Sequence, residues 1–324
     1  MEKRTRESET LRALCPTINV QGPSKHARRI NRVVSMLGTE ANPIIHMLLN
    51  AVVPWATTGA LLLESRRKKL GDAFHVAMKE LAQIEALFSL VLLDRYQTKT
   101  YPSLDSNNLN MRLAFHPLID RKQVVPNDFE FSGGKSLGLL TGSNMSGKST
   151  FLRTLGVNQA LANIGAPVFA ESFATRPLKI ESCIEVSDSL RDGFSYFYAE
   201  VRRLKYLLQE TKTGHSLFLI DEIFRGTNNR ERQIGSRAVI RSLAKAPGAQ
   251  GFISTHDLEL TSLETIEPTL LNLHFREQII DGKMAFSYKL QKGASPTTNA
   301  LRIMALEGLP VDEEIEAEKA EGRM

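Results

Sequence analysis

The stretch Gly142-Ser-Asn-Met-Ser-Gly147-Lys148-Ser149 spells glycine, four residues, then glycine-lysine-serine. It directly follows the apolar run Leu137-Gly-Leu-Leu140 and opens a helical pattern over 150–164. Strand, glycine turn and helix in that order is the context in which such a stretch wraps phosphate. The glycines let backbone N–H groups turn inward on anionic oxygens. The helix N-terminus adds donors and a favourable dipole. In this setting Lys148 is suited to the outer phosphates of a nucleotide and the Ser149 hydroxyl to Mg²⁺. The bland alternative, a chance glycine-rich turn, does not account for the strand and helix on either side.

Two further strand ends carry chemistry. Leu217-Phe-Leu-Ile220 reads as a buried strand that delivers Asp221 and Glu222 at its carboxyl end. Asp221 is placed to support the Mg²⁺ shell and Glu222 to polarise an attacking water. Alone this is also the pattern of a strand ending in solvated acids. Some seventy residues after a phosphate loop, it reads as the second half of a nucleotide site. Phe252-Ile-Ser-Thr255-His256 ends a third strand in an imidazole suited to a γ-phosphate or the water. Farther upstream, Gly193-Phe-Ser195-Tyr-Phe197-Tyr-Ala-Glu200 places Ser195 as the N-cap of an amphipathic helix.

Composition sets wider bounds. The chain has 324 residues, enough for one large or two ordinary domains, with 42% hydrophobic and 24% charged residues, a globular profile. Cys15 and Cys183 have no metal-ligand spacing and form no disulfide framework, so a reducing, cytoplasmic setting is expected. The polar start lacks the apolar core of a signal peptide. The net charge is +5, and residues 311–324 are acidic, leaving about +9 on the rest. That balance is compatible with nucleic acid but does not establish it.

The first 105 residues read as helical. Residues 24–37 carry Lys25, Arg28, Arg29 and Arg32, which serve equally as a DNA contact or as a solvated face. Residues 72–96 have apolar positions at a spacing of threes and fours. Between Glu40 and Glu64 there is no charged residue. His46, Asn50 and Pro54 interrupt that run, so a kinked helix buried among others is expected over a membrane span through 41–63. A turn-rich stretch at 99–110 marks the boundary. Short apolar runs then alternate with helical patterns, including a strand at 269–274, which predicts an α/β domain at 106–310 with a mostly parallel sheet and helices on both faces. An acidic tail covers 311–324.

Taken together, these motifs resemble the ATPase domain of the MutS family of DNA mismatch-repair proteins. Thr141-Gly-Ser-Asn144-Met145-Ser-Gly-Lys-Ser-Thr150 matches the family's loop beyond what the general pattern demands. Ser195, Phe197 and Glu200 match its signature, and Asp221-Glu-Ile-Phe-Arg-Gly-Thr227 its second nucleotide motif. Ser254-Thr-His256 with Glu259-Leu-Thr matches its switch segment. His116-Pro, Val125-Pro-Asn127-Asp and Asn272-Leu-His274 resemble the domain's entry and a late strand. The likeness runs over 72–310, through the end-of-domain stretch 293–310, with the matches in order. It implies an ABC-type phosphate-loop ATPase using ATP and Mg²⁺. The nucleotide set would be Gly142, Ser143, Asn144, Met145, Ser146, Gly147, Lys148, Ser149 and Thr150 with Asn127 and His274. Ser149 and Asp221 would serve the metal. Lys148, Glu222 and His256 would act in hydrolysis, with Ser195 reaching across a homodimer to the partner's γ-phosphate. DNA is the implied output partner.

The departures limit that expectation. The family's mismatch-reading module and its long lever and clamp helices have no counterpart, apart from a stub at 80–90. Phe275-Arg-Glu277 matches the mispair-reading element only by chance of spelling, and the dimerisation segment gives way to the acidic tail. Where relatives stack an aromatic on adenine, this chain has Val124. A short, divergent MutS-like ATPase without its own mismatch sensor is the expectation. The alternatives are a membrane-associated or protein-remodelling ATPase, and a nucleotide-gated binding module with negligible turnover.

Overall fold

The computed structural model describes residues 23–37, 43–52, 54–93, 99–184, 196–212, 214–224, 227–280 and 283–296, with the single positions 9, 13, 16 and 311. The chain divides into two compact units, Met1–Arg95 and Tyr96–Met324.

The first unit holds helices α1 (Pro23–Leu37), α2 (Pro43–Val52) and α3 (Trp55–Leu93). Both α1 and α2 lie against α3. The uncharged run is split by Pro54, whose carbonyl accepts the first helical bond of α3 from the Thr58 N–H at 2.9 Å. Its ten-residue half, α2, is about 15 Å long, roughly half the hydrocarbon thickness of a bilayer. Among the described residues no helix is long and apolar enough to cross a membrane. The expected burial of this run is corrected: Ile44, Met47, Leu48, Val52, Leu61 and Leu62 are exposed. α3 begins well before the expected 72, and most of its apolar stripe, including Phe74, Leu87, Phe88 and Val91, is exposed as well.

The second unit is α/β. Its strands are β1 (Asn110–Ala114), β2 (Asn127–Glu130), β3 (Leu137–Thr141), β4 (Ser172–Ala174), β5 (Lys179–Cys183), β6 (Ser216–Ile220), β7 (Ala249–Ser254), β8 (Leu270–Ile280) and β9 (Lys283–Lys292). Helices α4 (Lys148–Asn163), α5 (Tyr196–Glu210) and α6 (Asn229–Ala244) alternate with them, and a 3₁₀ helix spans Leu258–Thr265. Six strands form one sheet in the order β5-β6-β7-β3-β8-β9, parallel except for β9. Strands β3, β6 and β7 are buried at every position. Strands covered on both faces need unbroken rather than alternating apolar runs, which is why three short runs were legible as strands. The late strand was expected to stop at 274. It continues to Ile280 because β9 pairs with it antiparallel.

A second, three-stranded sheet, β2-β1-β4, adds a layer. Between it and the main sheet sits an aromatic cluster of Phe129, Phe131, Phe151, Phe252 and Phe275, with neighbouring ring centroids 4.7–6.5 Å apart. Such pairs contribute about 0.5–1.5 kcal/mol each beyond simple burial. Phe151 lies in the first turn of α4, so this packing fixes the helix that follows the glycine loop. The opposite core joins Leu204 and Leu207 of α5 and Val239 and Ile240 of α6 to Phe218, Ile220 and Ile253.

Candidate functional site

The 142–149 loop leaves the carboxyl end of β3 and turns directly into α4. Gly142 and Gly147 have φ of 134° and 112°, a region that side chains disfavour. A Cβ on Gly142 would also stand 2.5 Å from the Phe275 carbonyl oxygen. Met145 turns at φ 66° with its side chain out in solvent. Lys148 is buried, and its ammonium donates to the carbonyls of Gly142 at 2.8 Å and Ser143 at 2.7 Å, across the inside of the loop. The Ser143 and Ser146 hydroxyls are buried with no hydrogen-bond partner among the described residues. Gly147 gives α4 no side-chain cap. A loop with a centred cation, orphaned hydroxyls and an uncapped helix start is built for an anion.

Neighbouring strands bring the acids to the same edge. β6 lies beside β7, and β7 beside β3, so the carboxyl ends of all three coincide. Asp221 donates its backbone N–H to the Cys183 carbonyl at 2.9 Å. The Ser254 hydroxyl donates to Asp221 Oδ1 at 2.7 Å and accepts the Glu222 N–H at 2.8 Å. Glu222 is left-handed, φ 55°, as is Phe224 at 59°. The Phe224 N–H donates to the buried Glu200 Oε1 at 2.5 Å, and its ring lies 6.2 Å from that of Phe197. Both partners sit on α5, so that helix holds the turn after Glu222 through one hydrogen bond and one ring contact. His256 Nε2 stands 3.8 Å from Glu222 Oε2.

These groups line one compartment of about 130 Å³: Asn144, Met145, Lys148, Ser149, Asp221, Glu222 and His256, with Gly147, Thr150 and Tyr288. Gly147, Thr150 and Tyr288 also line a larger cavity of about 380 Å³, whose other walls include Phe115, His116, Ile119, Val124, Val125 and Asn127. A small polar compartment thus adjoins a roomier, more apolar one. His116 in the latter is held below the ordinary histidine value, first by burial and then by the nearby Arg153 charge.

The remaining expected residues divide. Val124 does line the larger cavity. Asn127 lines it too, but its amide is engaged elsewhere. It donates to the Tyr288 carbonyl at 2.9 Å and accepts the Leu290 N–H at 2.7 Å. His274 is buried on β8 beside Thr141, its Nδ1 3.0 Å from the Gly293 carbonyl, and is not among the residues lining either cavity. Ser195 lies outside the described residues; α5 is described from Tyr196. The placing of two residues is not legible in the sequence. Tyr288 has φ 52° where β9 shifts register against β8, and there it reaches both cavities. An aromatic in an alternating strand gives no warning of such a bulge. Ser254 falls in the expected switch segment, but its bonds to Asp221 and Glu222 are not written in the motif.

A mostly parallel sheet with a glycine loop at the end of β3 and two acids at the end of β6 defines the phosphate-loop α/β class. The particular family follows from comparison. The model for MutS domain V matches residues 138–323. The DNA mismatch repair protein MutS of Bacillus pumilus is 32% identical over 238 residues, 72% of this chain and 28% of that protein. MutS of Bacillus subtilis is 31% identical over 242 residues, again 72% and 28%. The DNA mismatch repair protein MutS 2 of Halobacterium salinarum is 29% identical over 251 residues, 76% and 29%. The chain belongs to the MutS family. It spans less than a third of the length of these relatives.

Proposed function

We propose that this chain binds ATP with Mg²⁺ and hydrolyses it, and that it does so as a dimer whose cycle is coupled to DNA. The observation that carries the reading is the paired compartment: a 130 Å³ polar pocket around Lys148, Asp221, Glu222 and His256 opening beside a 380 Å³ pocket, a match for triphosphate and nucleoside. Backbone N–H groups of 142–147 and the start of α4 cradle the phosphates, and Lys148 exchanges its loop carbonyls for phosphate oxygens. Glu222 orients water, and His256 beside it senses the γ-phosphate. The residues present fit Mg²⁺. Ser149 and Asp221 line the same compartment. Mg²⁺ is ordinarily held by one or two protein groups plus phosphate, and when bound it supplies charge neutralisation on those oxygens. In the larger pocket Tyr288 offers the aromatic face that Val124 lacks.

Support for DNA comes from the names of the relatives and from the positive balance outside the tail. Support for paired action comes from the resemblance of Ser195, Phe197 and Glu200 to the family signature. In that arrangement Ser195 meets the partner's γ-phosphate, and α5 passes the contact to this chain's own Phe224 turn. The test is direct. Purified chain is assayed for nucleotide binding and for phosphate release with Mg²⁺ or with EDTA, beside Lys148→Ala. Mg²⁺-dependent turnover is expected, with nucleotide affinity lost in the variant. Unchanged affinity in Lys148→Ala overturns the assignment of the loop.

A further inference from the structure

We infer that Ser254 is a positioning residue for the metal and water side of the site. The inference rests on the Mg²⁺-ATPase reading above. Ser254 is fully buried at the last position of β7, and its hydroxyl touches both groups that follow β6. The direction of each bond is fixed by chemistry. An ionised carboxylate only accepts and a backbone N–H only donates. The single hydroxyl proton therefore goes to Asp221 Oδ1 at 2.7 Å, and the hydroxyl oxygen takes the Glu222 N–H at 2.8 Å.

Two consequences follow. One oxygen of Asp221 is held by a charge-assisted bond, which orients the carboxylate and leaves the other oxygen for the metal shell. The Glu222 amide is anchored where its backbone is left-handed, φ 55°. A non-glycine residue persists in that conformation only where its surroundings impose it. Ser254 also lies two residues before His256, whose ring stands 3.8 Å from Glu222. One hydroxyl thus ties the metal-side acid, the water-side acid and the β7 segment carrying the histidine. Alanine at this position would keep the strand and leave both partners without their shared bond.

The experiment compares wild type with Ser254→Ala in three measurements. They are affinity for a non-hydrolysable ATP analogue in EDTA, Mn²⁺ binding to that complex followed by the free-ion EPR signal, and turnover against Mg²⁺ concentration. In Ser254→Ala, metal-free nucleotide affinity is expected to stay within about twofold. Mn²⁺ affinity is expected to fall roughly tenfold, the scale of a lost partner to a metal ligand. The Mg²⁺ midpoint of turnover should rise, and kcat should fall. Mn²⁺ affinity and Mg²⁺ midpoint both unchanged overturn the inference. So does a parallel drop in binding amplitude and rate with the Mg²⁺ midpoint unmoved, because that pattern reports only less folded protein. A wild-type chain that binds no nucleotide overturns the ATPase reading itself, a result distinguishable from the other two.

Discussion

Glu222 shows how much of this site is decided within a few bonds. Its place after four buried apolar residues makes it an acid at the edge of a sheet. Its left-handed backbone and the Ser254 bond then aim it toward the compartment shared with Lys148 and His256. Glu222→Gln keeps the shape and loses the charge proposed to polarise water. Turnover is expected to fall by about 10²–10⁴-fold while ATP affinity is kept, measured by phosphate release against equilibrium binding; wild-type turnover removes Glu222 from the mechanism. Cys183 gives a contrasting case. It lies one residue-pair away, opposite Ile220, yet burial first, and then the Glu200 carboxylate, push its thiol up to about 12. At pH 8 the reactive thiolate is then on the order of one part in ten thousand. Peptide-resolved alkylation is expected to leave Cys183 unmodified in the native chain and to label it in urea. Rapid native labelling would show the thiol to be accessible and ionisable after all.

At the scale of elements, Tyr288 in the register shift between β8 and β9 forms part of the wall of the larger cavity. Asn127 at the start of β2 reaches 161 residues along the chain to hold the Tyr288 carbonyl, and it also binds the Leu290 N–H. The bulge so held sets Tyr288 between the two compartments. Tyr288→Ala is expected to weaken ATP binding roughly three- to tenfold, the scale of one aromatic contact. Asn127→Ala should weaken it similarly and add little in a Tyr288→Ala background, since both act through one ring. Full additivity in that double-mutant cycle would mean that Asn127 contacts nucleotide independently. A second link between elements, Glu200 to Phe224, joins α5 to the Glu222 turn, so events at the start of α5 have a short route to the acid.

At the scale of the whole molecule, the proposed pairing and DNA coupling each have a direct test. If Ser195 acts across a dimer, Ser195→Arg and Lys148→Ala subunits, each inactive alone, should recover part of the ATPase activity when mixed. One composite site in the mixed pair keeps both intact groups. No recovery despite demonstrated heterodimers would count against action in trans. If the chain binds DNA as proposed, and does so through phosphate contacts, affinity should fall steeply with salt and distinguish mismatched from matched duplex weakly. A large preference for a G·T mismatch at fixed salt would refute this. In the first unit Ile44, Met47, Leu48 and Val52 on α2 and Phe74, Leu87, Phe88 and Val91 on α3 are exposed. Periodicity predicted the helices there, because a helical repeat is local. It did not predict their exposure, because burial depends on neighbours.

That division runs through the protein. The sequence alone determined the family, the α/β class and the placing of Lys148, Asp221, Glu222 and His256 at strand and loop ends that share one compartment. Each of these rests on a contiguous motif, in which a strand, a turn and a helix start declare themselves within about a dozen residues. Only the tertiary structure decided that Ser254 joins Asp221 to Glu222, that Asn127 serves β9, that His274 turns to the Gly293 carbonyl, and that Tyr288 lines the same cavity as Val124. Those are contacts between strands far apart in the chain. Their register is set by sheet pairing and by the irregularities in the β1–β2 and β8–β9 pairings, and a single-residue shift would turn each side chain to the opposite face.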